Sequence, residues 1–171
     1  MKILGSLFIF TASIGFAFQI KTDLKRHLFL LYDIRKLLLD IADEMAYSLE
    51  SVETVLKYTV QSKNRYLNEI CKAMGEILEK KEAKNPALAW EAVILEYQKK
   101  LQLKEAEKDV FADAGNAFFG KSIEENERAL KHSIKRLDAI IDVAEKEQKE
   151  KQKVYQTVSV MCGLMVILLF L

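Results

Sequence analysis

Two histidines, His27 and His132, are the side chains of this chain best suited to bind a metal ion. In di-iron helical bundles a glutamate stands three residues before the metal-binding histidine, but Leu24 and Ala129 occupy those positions here. Neither histidine has a cysteine or a carboxylate pair at ligand spacing. We therefore expect both histidines on the surface and predict no metal site.

Adjacent acidic residues, at 43–44 and at 124–125, are the other candidates for chemistry, because two carboxylates can act as general acid and base. On helices as charged as these, such pairs usually lie on a solvated face beside lysines one turn away. The chain also lacks a glycine-rich phosphate loop, a Ser-His-Asp order and a G-x-S-x-G motif. The sequence thus predicts neither an enzyme nor a bound cofactor.

Each end of the chain carries an apolar segment of 18 residues, at 3–20 and at 154–171. A helix of that length spans about 27 Å, close to the thickness of the hydrocarbon core of a bilayer. Positive side chains crowd the inner flank of each segment: Lys21, Lys25 and Arg26, then Lys146, Lys149, Lys151 and Lys153. By the positive-inside rule, we predict transmembrane helices at 1–20 and 154–171 and a cytosolic domain at 21–153.

The alternative for the N-terminal segment is a cleaved signal peptide, with Gly15-Phe16-Ala17 as a small-x-small cleavage site. Cleavage would export the middle of the chain and place the lysines before Val154 on the wrong side of the membrane, so the anchor is favoured. Cys71 and Cys162 would then lie far apart, one in the helical domain and one in an anchor. A reduced, cytosolic domain without a disulfide fits this arrangement.

Helix formers dominate the middle of the chain, which has one proline and few glycines, so we predict an all-α fold with a bundle of about six helices. The first bundle helix carries two adjoining apolar stripes from Leu24 to Leu49. Residues with helix-capping or helix-ending signals divide the rest: Ser51, Asn64, Asn85-Pro86, the polar stretch 102–105, Gly120 and the capping box 122–125. The last helix is predicted to run from this capping box into the C-terminal anchor without a break.

Trp90 and three phenylalanines, Phe111, Phe118 and Phe119, could line a pocket for an apolar ligand. At helical spacing such residues more often form the core of a small helical domain, which is the interpretation we prefer. We expect Gly115 to allow a close helix crossing. The lysines near the anchors alternate with glutamates, so we expect them to contact anionic lipid headgroups and not nucleic acid.

The whole chain resembles the stage III sporulation protein AB family of endospore-forming bacteria. The resemblance rests on features kept in order and spacing: Lys-Ile-Leu-Gly at 2–5, Asp-Glu-Met-Ala-Tyr at 43–47 with Glu44 and Tyr47, Ala89-Trp90, the run 114–122 containing Gly115, Gly120 and Ser122, and Cys-Gly-Leu at 162–164. This chain departs from the family in the turn after Gly120, where we expect an aspartate and a glutamine but find Lys121 and Glu127, and it lacks a proline after Tyr47.

The resemblance implies a cytosolic domain similar to those of the platform protein of type II secretion systems. It also implies a place in the channel complex between mother cell and forespore, beside a secretion-type ATPase and other subunits, with Ser122, Glu125 and Arg128 as a contact surface. We therefore expect a membrane platform subunit on the mother-cell side, without enzymatic activity; homo-oligomerisation is left open. The alternatives are a membrane-tethered signalling bundle that binds a ligand at Trp90, and an enzyme acting at the membrane.

Overall fold

The computed structural model describes the backbone of residues 2–47, 51–119 and 122–170, and the side chains of most residues between 22 and 158. The described chain is all-helical, with no strand, which confirms the predicted fold class. In chain order the helices are α1 (Lys2–Tyr47), α2 (Val52–Thr54) followed by a π-helical segment (Val55–Thr59), α3 (Arg65–Glu79), α4 (Pro86–Leu101), α5 (Glu105–Asp113), α6 (Gly115–Phe118) and α7 (Ile123–Phe170).

The chain divides into two compact units. One unit is Leu30–Ile140, which holds α2 to α6 and the adjoining parts of α1 and α7. The other consists of Met1–Phe29 and Ile141–Leu171, the two ends of the chain. The helical bundle described below is the unit Leu30–Ile140.

Side-chain caps start two of the bundle helices where the sequence predicts them. The Asn64 side-chain oxygen accepts a hydrogen bond from the backbone N–H of Tyr66 at 2.9 Å, and α3 begins at Arg65, directly after Asn64. Asn85 accepts one from the backbone N–H of Ala87 at 3.0 Å, with Pro86 as the first residue of α4. Each cap satisfies a backbone donor that has no partner within its helix, so these helix starts are fixed locally.

The apolar stripes of α1 form one wall of the core, as predicted. Leu31 and Leu38 of the first stripe are completely buried, and Ile34, Leu37 and Ile41 of the second stripe are completely or almost completely buried. Arg35, the polar interruption of the first stripe, donates from Nε to the carboxylate of Asp138 on α7 at 2.6 Å. This ion pair joins α1 to α7 within the bundle.

Ser51 predicts the start of a short helix through about Gln61, and the chain is helical from Val52 to Thr59 with Ser51 at the N-cap position, although the cap and the type of helix differ from those expected. The Ser51 side chain makes no cap to a backbone N–H and instead lies 2.9 Å from the hydroxyl of Thr54. After one turn, the chain continues as a π helix that ends at Thr59. Its Val55 and Leu56 are buried, so the wider helical turn occurs where the segment packs against α3.

A close approach between α2 and α3 depends on Gly75. A Cβ atom at this position would lie 3.1 Å from the backbone oxygen of Glu53 and would overlap the side chain of Lys57. The stem of Lys57 crosses the glycine, and its ammonium group pairs with Glu79 at 2.8 Å. The sequence does not indicate this contact, because it joins residues of two different helices, Glu53 and Gly75, that are 22 positions apart.

The fifth predicted helix is interrupted. Instead of running to Gly120, it ends at Asp113, and the four-residue helix α6 follows after Ala114. Helix α7, by contrast, is continuous from Ile123 to Phe170, as predicted, with Leu137 of its predicted apolar seam buried.

Among the residues that the structure describes, no helix is long and apolar enough to cross a bilayer. The side chains of segment 3–20 and of most of segment 154–171 lie outside the described residues. Both predicted anchors, and the domain boundaries derived from them, stay predictions.

Candidate functional site

A polar groove on the bundle offers a surface that could receive another molecule. It has a volume of about 430 Å³ and lies between the end of α1 and the chain that leaves the π-helical segment. Its lining residues are Lys36, Asp40, Asp43, Glu44, Thr59, Val60 and Gln61. A second cavity of about 220 Å³ shares Lys36, Asp40 and Gln61 with it, so the two form one depression along α1, here called the α1 groove.

The α1 groove carries an excess of negative charge. Three carboxylates, Asp40, Asp43 and Glu44, line its larger cavity, against the single ammonium group of Lys36. That ammonium group pairs with Asp40 one turn along the helix. In the smaller cavity Asp33 and Lys63 balance each other in formal charge. The larger cavity therefore attracts a positively charged group.

Two exposed tyrosines lie close to the α1 groove in sequence. Tyr47, the last residue of α1, is 87% exposed and follows Asp43 by one helical turn. Tyr58 is 68% exposed and adjoins the groove residue Thr59, with the ammonium group of Lys57 at 5.3 Å from its ring centre. Tyrosine is enriched in protein interfaces because it combines a large apolar ring with a polar end.

Of the predicted residues, the structure places Glu44 in the α1 groove and Tyr47 beyond its end, but Trp90 and Gly115 belong to the core. Trp90 is fully buried, and its Nε1–H donates to the backbone oxygen of Phe111 at 2.9 Å. The rings of Phe111 and Phe118 meet it edge to face at 5.5 and 5.7 Å. Trp90 is fully buried and in contact with these two rings, which favours the structural role of this cluster.

Gly115 lies directly against the indole. A Cβ atom here would stand 2.9 Å from Trp90 Cδ1 and 3.2 Å from Cγ, closer than carbon atoms normally approach. The predicted close crossing at Gly115 is therefore present, and its partner is the tryptophan. Gly120 lies outside the described residues.

The start of α7, for which the resemblance implies partner contact, is exposed. Ser122 accepts a hydrogen bond from the backbone N–H of Glu125 at 3.2 Å, the cap expected of the predicted capping box. Arg128 pairs with Glu124 at 3.5 Å, and both side chains are largely exposed. The exposed side chains of Ser122, Glu125 and Arg128 are accessible to a partner.

One carboxylate of the bundle is buried. Glu107 of α5 accepts a hydrogen bond from the backbone N–H of Lys104 at 2.8 Å and is only 2% exposed. This bond ties the first turn of α5 to the residue that precedes it, which explains the buried carboxylate by helix capping. The sequence analysis missed this cap because lysine at the preceding position is not a typical signal.

Few of the described side chains could act as a nucleophile or bind a metal ion. Cys71 is buried in α3, and burial raises the pKa of its thiol to about 12, which keeps it protonated and unreactive. His132 is exposed, as predicted, and His27 is half-buried. Within the described part of the chain, no three histidine, cysteine or acidic side chains come together as a metal-binding group.

Comparison with known protein families matches residues 2–171 to Stage III sporulation protein AB. No curated protein and no solved structure gave a match. The match covers both terminal segments, the α1 groove and the Trp90 cluster, as the resemblance required. The chain belongs to the stage III sporulation protein AB family.

Proposed function

We propose that this chain is a membrane platform subunit of the secretion-like channel between mother cell and forespore. Membership of the family implies a role in stage III of sporulation. In the proposal, lipid holds both ends of the chain, and the bundle Leu30–Ile140 faces the mother-cell cytosol. There it docks a secretion-type ATPase or a neighbouring subunit and carries out no chemistry of its own.

The family match over nearly the whole chain is the observation that carries this proposal. The geometry supports it by offering a receiving surface: a groove of about 430 Å³ with excess negative charge and exposed tyrosines close to it in sequence. A partner that presents lysine or arginine side chains fits this surface. Complementary charge also speeds the encounter of two proteins, which suits a motor that must find its platform.

The bundle could pass a displacement on to the rest of the complex. The groove is lined by α1, and the ion pair of Arg35 with Asp138 connects α1 to α7. Helix α7 then continues to Phe170 without a break. In the proposal, a push on the groove wall passes from α1 through this ion pair to α7.

The second contact surface in the proposal is the exposed start of α7, with Ser122, Glu125 and Arg128. The resemblance suggests it, and the accessibility of these residues supports it. An experiment can distinguish the two surfaces. Reversing the charge of a carboxylate in the α1 groove should weaken binding of a basic partner there and leave binding at the start of α7 unchanged.

The test is complementation of a deletion in a sporulating host. The variant Glu44→Lys reverses one carboxylate of the α1 groove, and Glu82→Lys makes the same change at an exposed position in the turn after α3. We expect the wild-type gene and Glu82→Lys to restore forespore development, and Glu44→Lys to fail while the protein still accumulates in the membrane.

Co-purification of the channel ATPase from the same cells gives the second readout. We expect the yield of ATPase to fall for Glu44→Lys and to stay at the wild-type level for Glu82→Lys. Normal forespore development in the deletion strain would contradict the platform role itself. Full complementation by Glu44→Lys, with unchanged ATPase recovery, would contradict only the groove as the docking site.

A further inference from the structure

Helix α4 is apolar on its outer face as well as its inner face. Trp90 and Ile94 point into the core, but Leu88 and Leu95 are 60% and 58% exposed, with the exposed Ala92 between them. Helix α3, which has a similar length and is described in full, exposes no leucine, isoleucine or valine. An outer stripe of leucine on one helix of a bundle indicates a contact with another molecule.

The spacing of this stripe fits a second helix. Leu88, Ala92, Leu95 and the exposed Lys99 follow one another at intervals of four, three and four residues. This is the spacing of the seam between two helices packed along each other, where each seam residue lies between residues of the partner. The stripe, called the α4 seam below, extends over three turns of helix.

The charges beside the α4 seam identify a second copy of this chain, in antiparallel orientation, as the best partner. In a parallel pair, Glu91 of each copy would face Glu96 of the other on both flanks, and like charges would repel. In an antiparallel pair, Glu91 faces the neutral Gln98, and Glu96 faces Ala89. Gln98 already donates to Glu105, whose charge is offset by Lys108.

The antiparallel register also gives the lysine of the seam a partner. Lys99 of one copy lies over Leu88 of the other, so that its aliphatic stem covers the leucine. Its ammonium group then comes within reach of Glu91, one turn from that leucine. Ala92 faces Leu95 at the centre, which places a small residue opposite a large one.

We propose that the outer face of α4 binds the same face of a second copy of this chain in antiparallel orientation. Two crossing helices of this length bury less than the roughly 1,200 Å² of a standard stable interface. The association is therefore weak on its own and depends on protein concentration. It is independent of the docking role proposed for the α1 groove.

Disulfide trapping in the full chain tests both the contact and its direction. The variant Leu88→Cys with an affinity tag and the untagged variant Lys99→Cys are produced together, each with Cys162→Ser, and are oxidised after purification in mild detergent. Buried Cys71 stays in place, and Lys72→Cys on the exposed side of α3 serves as the control.

We expect the mixed disulfide between the tagged and the untagged chain to exceed every other dimer by at least about tenfold. In the antiparallel register two copies of residue 88 are 11 positions apart, about 16 Å along the helix, too far for a disulfide. Predominant pairing of Leu88→Cys with itself would overturn the proposal. Cross-linking no greater than that of the Lys72→Cys control would overturn it as well.

Sedimentation of the full chain in the same detergent gives an independent measurement. Leu88→Glu combined with Leu95→Glu places four carboxylates in the seam of the pair, and Asn116→Glu adds a carboxylate at another exposed position. We expect the double variant to weaken association at least about tenfold and the control to leave it unchanged. Both should keep the wild-type circular dichroism, because all three side chains are exposed. Equal association of the double variant and wild type would contradict the proposal.

Discussion

Replacing Gly115 by alanine sets two physical effects of opposite sign against each other. Gly115 is the first residue of α6, and helix propensity alone favours alanine over glycine by about 1 kcal/mol. The new Cβ atom, however, would stand 2.9 Å from Trp90 Cδ1, with the Trp90 Cγ and Cβ atoms at 3.2 and 3.3 Å. Extra carbon atoms in a packed core typically cost about 1–3 kcal/mol.

The indole has little room to move away. It is fully buried between the rings of Phe111 and Phe118, and its N–H is fixed to a backbone oxygen. We therefore expect the cost of overpacking to exceed the gain in helix propensity. The net effect of Gly115→Ala should be a loss of up to about 2 kcal/mol in the free energy of unfolding. For a chain of this length this corresponds to a fall of up to about 8 °C in Tm.

Thermal unfolding of the full chain in detergent, followed by circular dichroism at 222 nm, measures this effect. Asn116→Ala is the matched control, because Asn116 is the next residue of α6 and is exposed. Trp90→Phe keeps the Cβ, Cγ and Cδ1 atoms that the new Cβ would meet, but it removes the second ring and its hydrogen bond, so the remaining ring can shift away. Gly115→Ala combined with Trp90→Phe should therefore be less destabilised than the sum of the two single variants by about 1 kcal/mol. A Tm for Gly115→Ala equal to or above the wild-type value would refute the packing argument.

Further predictions follow from the caps, the ion pairs and the buried thiol. Asn85→Ala removes the side-chain cap of α4 and should lower the free energy of unfolding, measured in urea, by about 1 kcal/mol. An unchanged urea midpoint would show that Pro86 alone fixes the start of the helix. Burial raises the pKa of the Cys71 thiol to about 12, so this thiol should resist iodoacetamide at pH 8 in the folded chain and react with it after unfolding. Mass spectrometry measures the labelling, and labelling of Cys71 in the folded chain would contradict its burial. The hydrogen bond with Lys57 lowers the pKa of Glu79, and the same bond raises the pKa of Lys57, so the stabilising effect of Glu79 over Glu79→Gln should be present at neutral pH. It should disappear as the pH falls through the lowered pKa of Glu79 or rises through the raised pKa of Lys57, and a difference in Tm that does not change with pH would contradict the ion pair.

Local signals made part of the fold predictable. Asn64 and Asn85 cap the helices that follow them because a capping side chain bonds to a backbone N–H two residues later, independently of the rest of the fold. The continuity of α7 into the predicted anchor followed from the lack of any helix breaker between Ile123 and Val154. The same kind of reasoning identified the apolar stripes of α1, because a helix has a fixed period.

Features that depend on contacts distant in sequence were not predictable in the same way. The π-helical turn at Val55–Thr59 and the close approach at Gly75 arise from packing between α3 and the segment before it. The break after Asp113 occurs where Gly115 meets Trp90. The α1 groove has Glu44 and Thr59 in the same lining although they lie 15 positions apart in sequence, which no local motif indicates. From the sequence, Glu44 could therefore be identified only through the family resemblance, and its position in the lining of the groove could not be predicted.

The central claim is that lipid holds both ends of this chain while the bundle Leu30–Ile140 faces the cytosol. Protease accessibility in sealed inside-out vesicles from a sporulating host, with an epitope tag inserted in the turn at 79–84, tests it most directly. We expect the protease to remove the tag without detergent, while the full-length chain remains in the membrane fraction before digestion. A tag protected until detergent is added, or a mature chain shortened after Ala17, would contradict the claim.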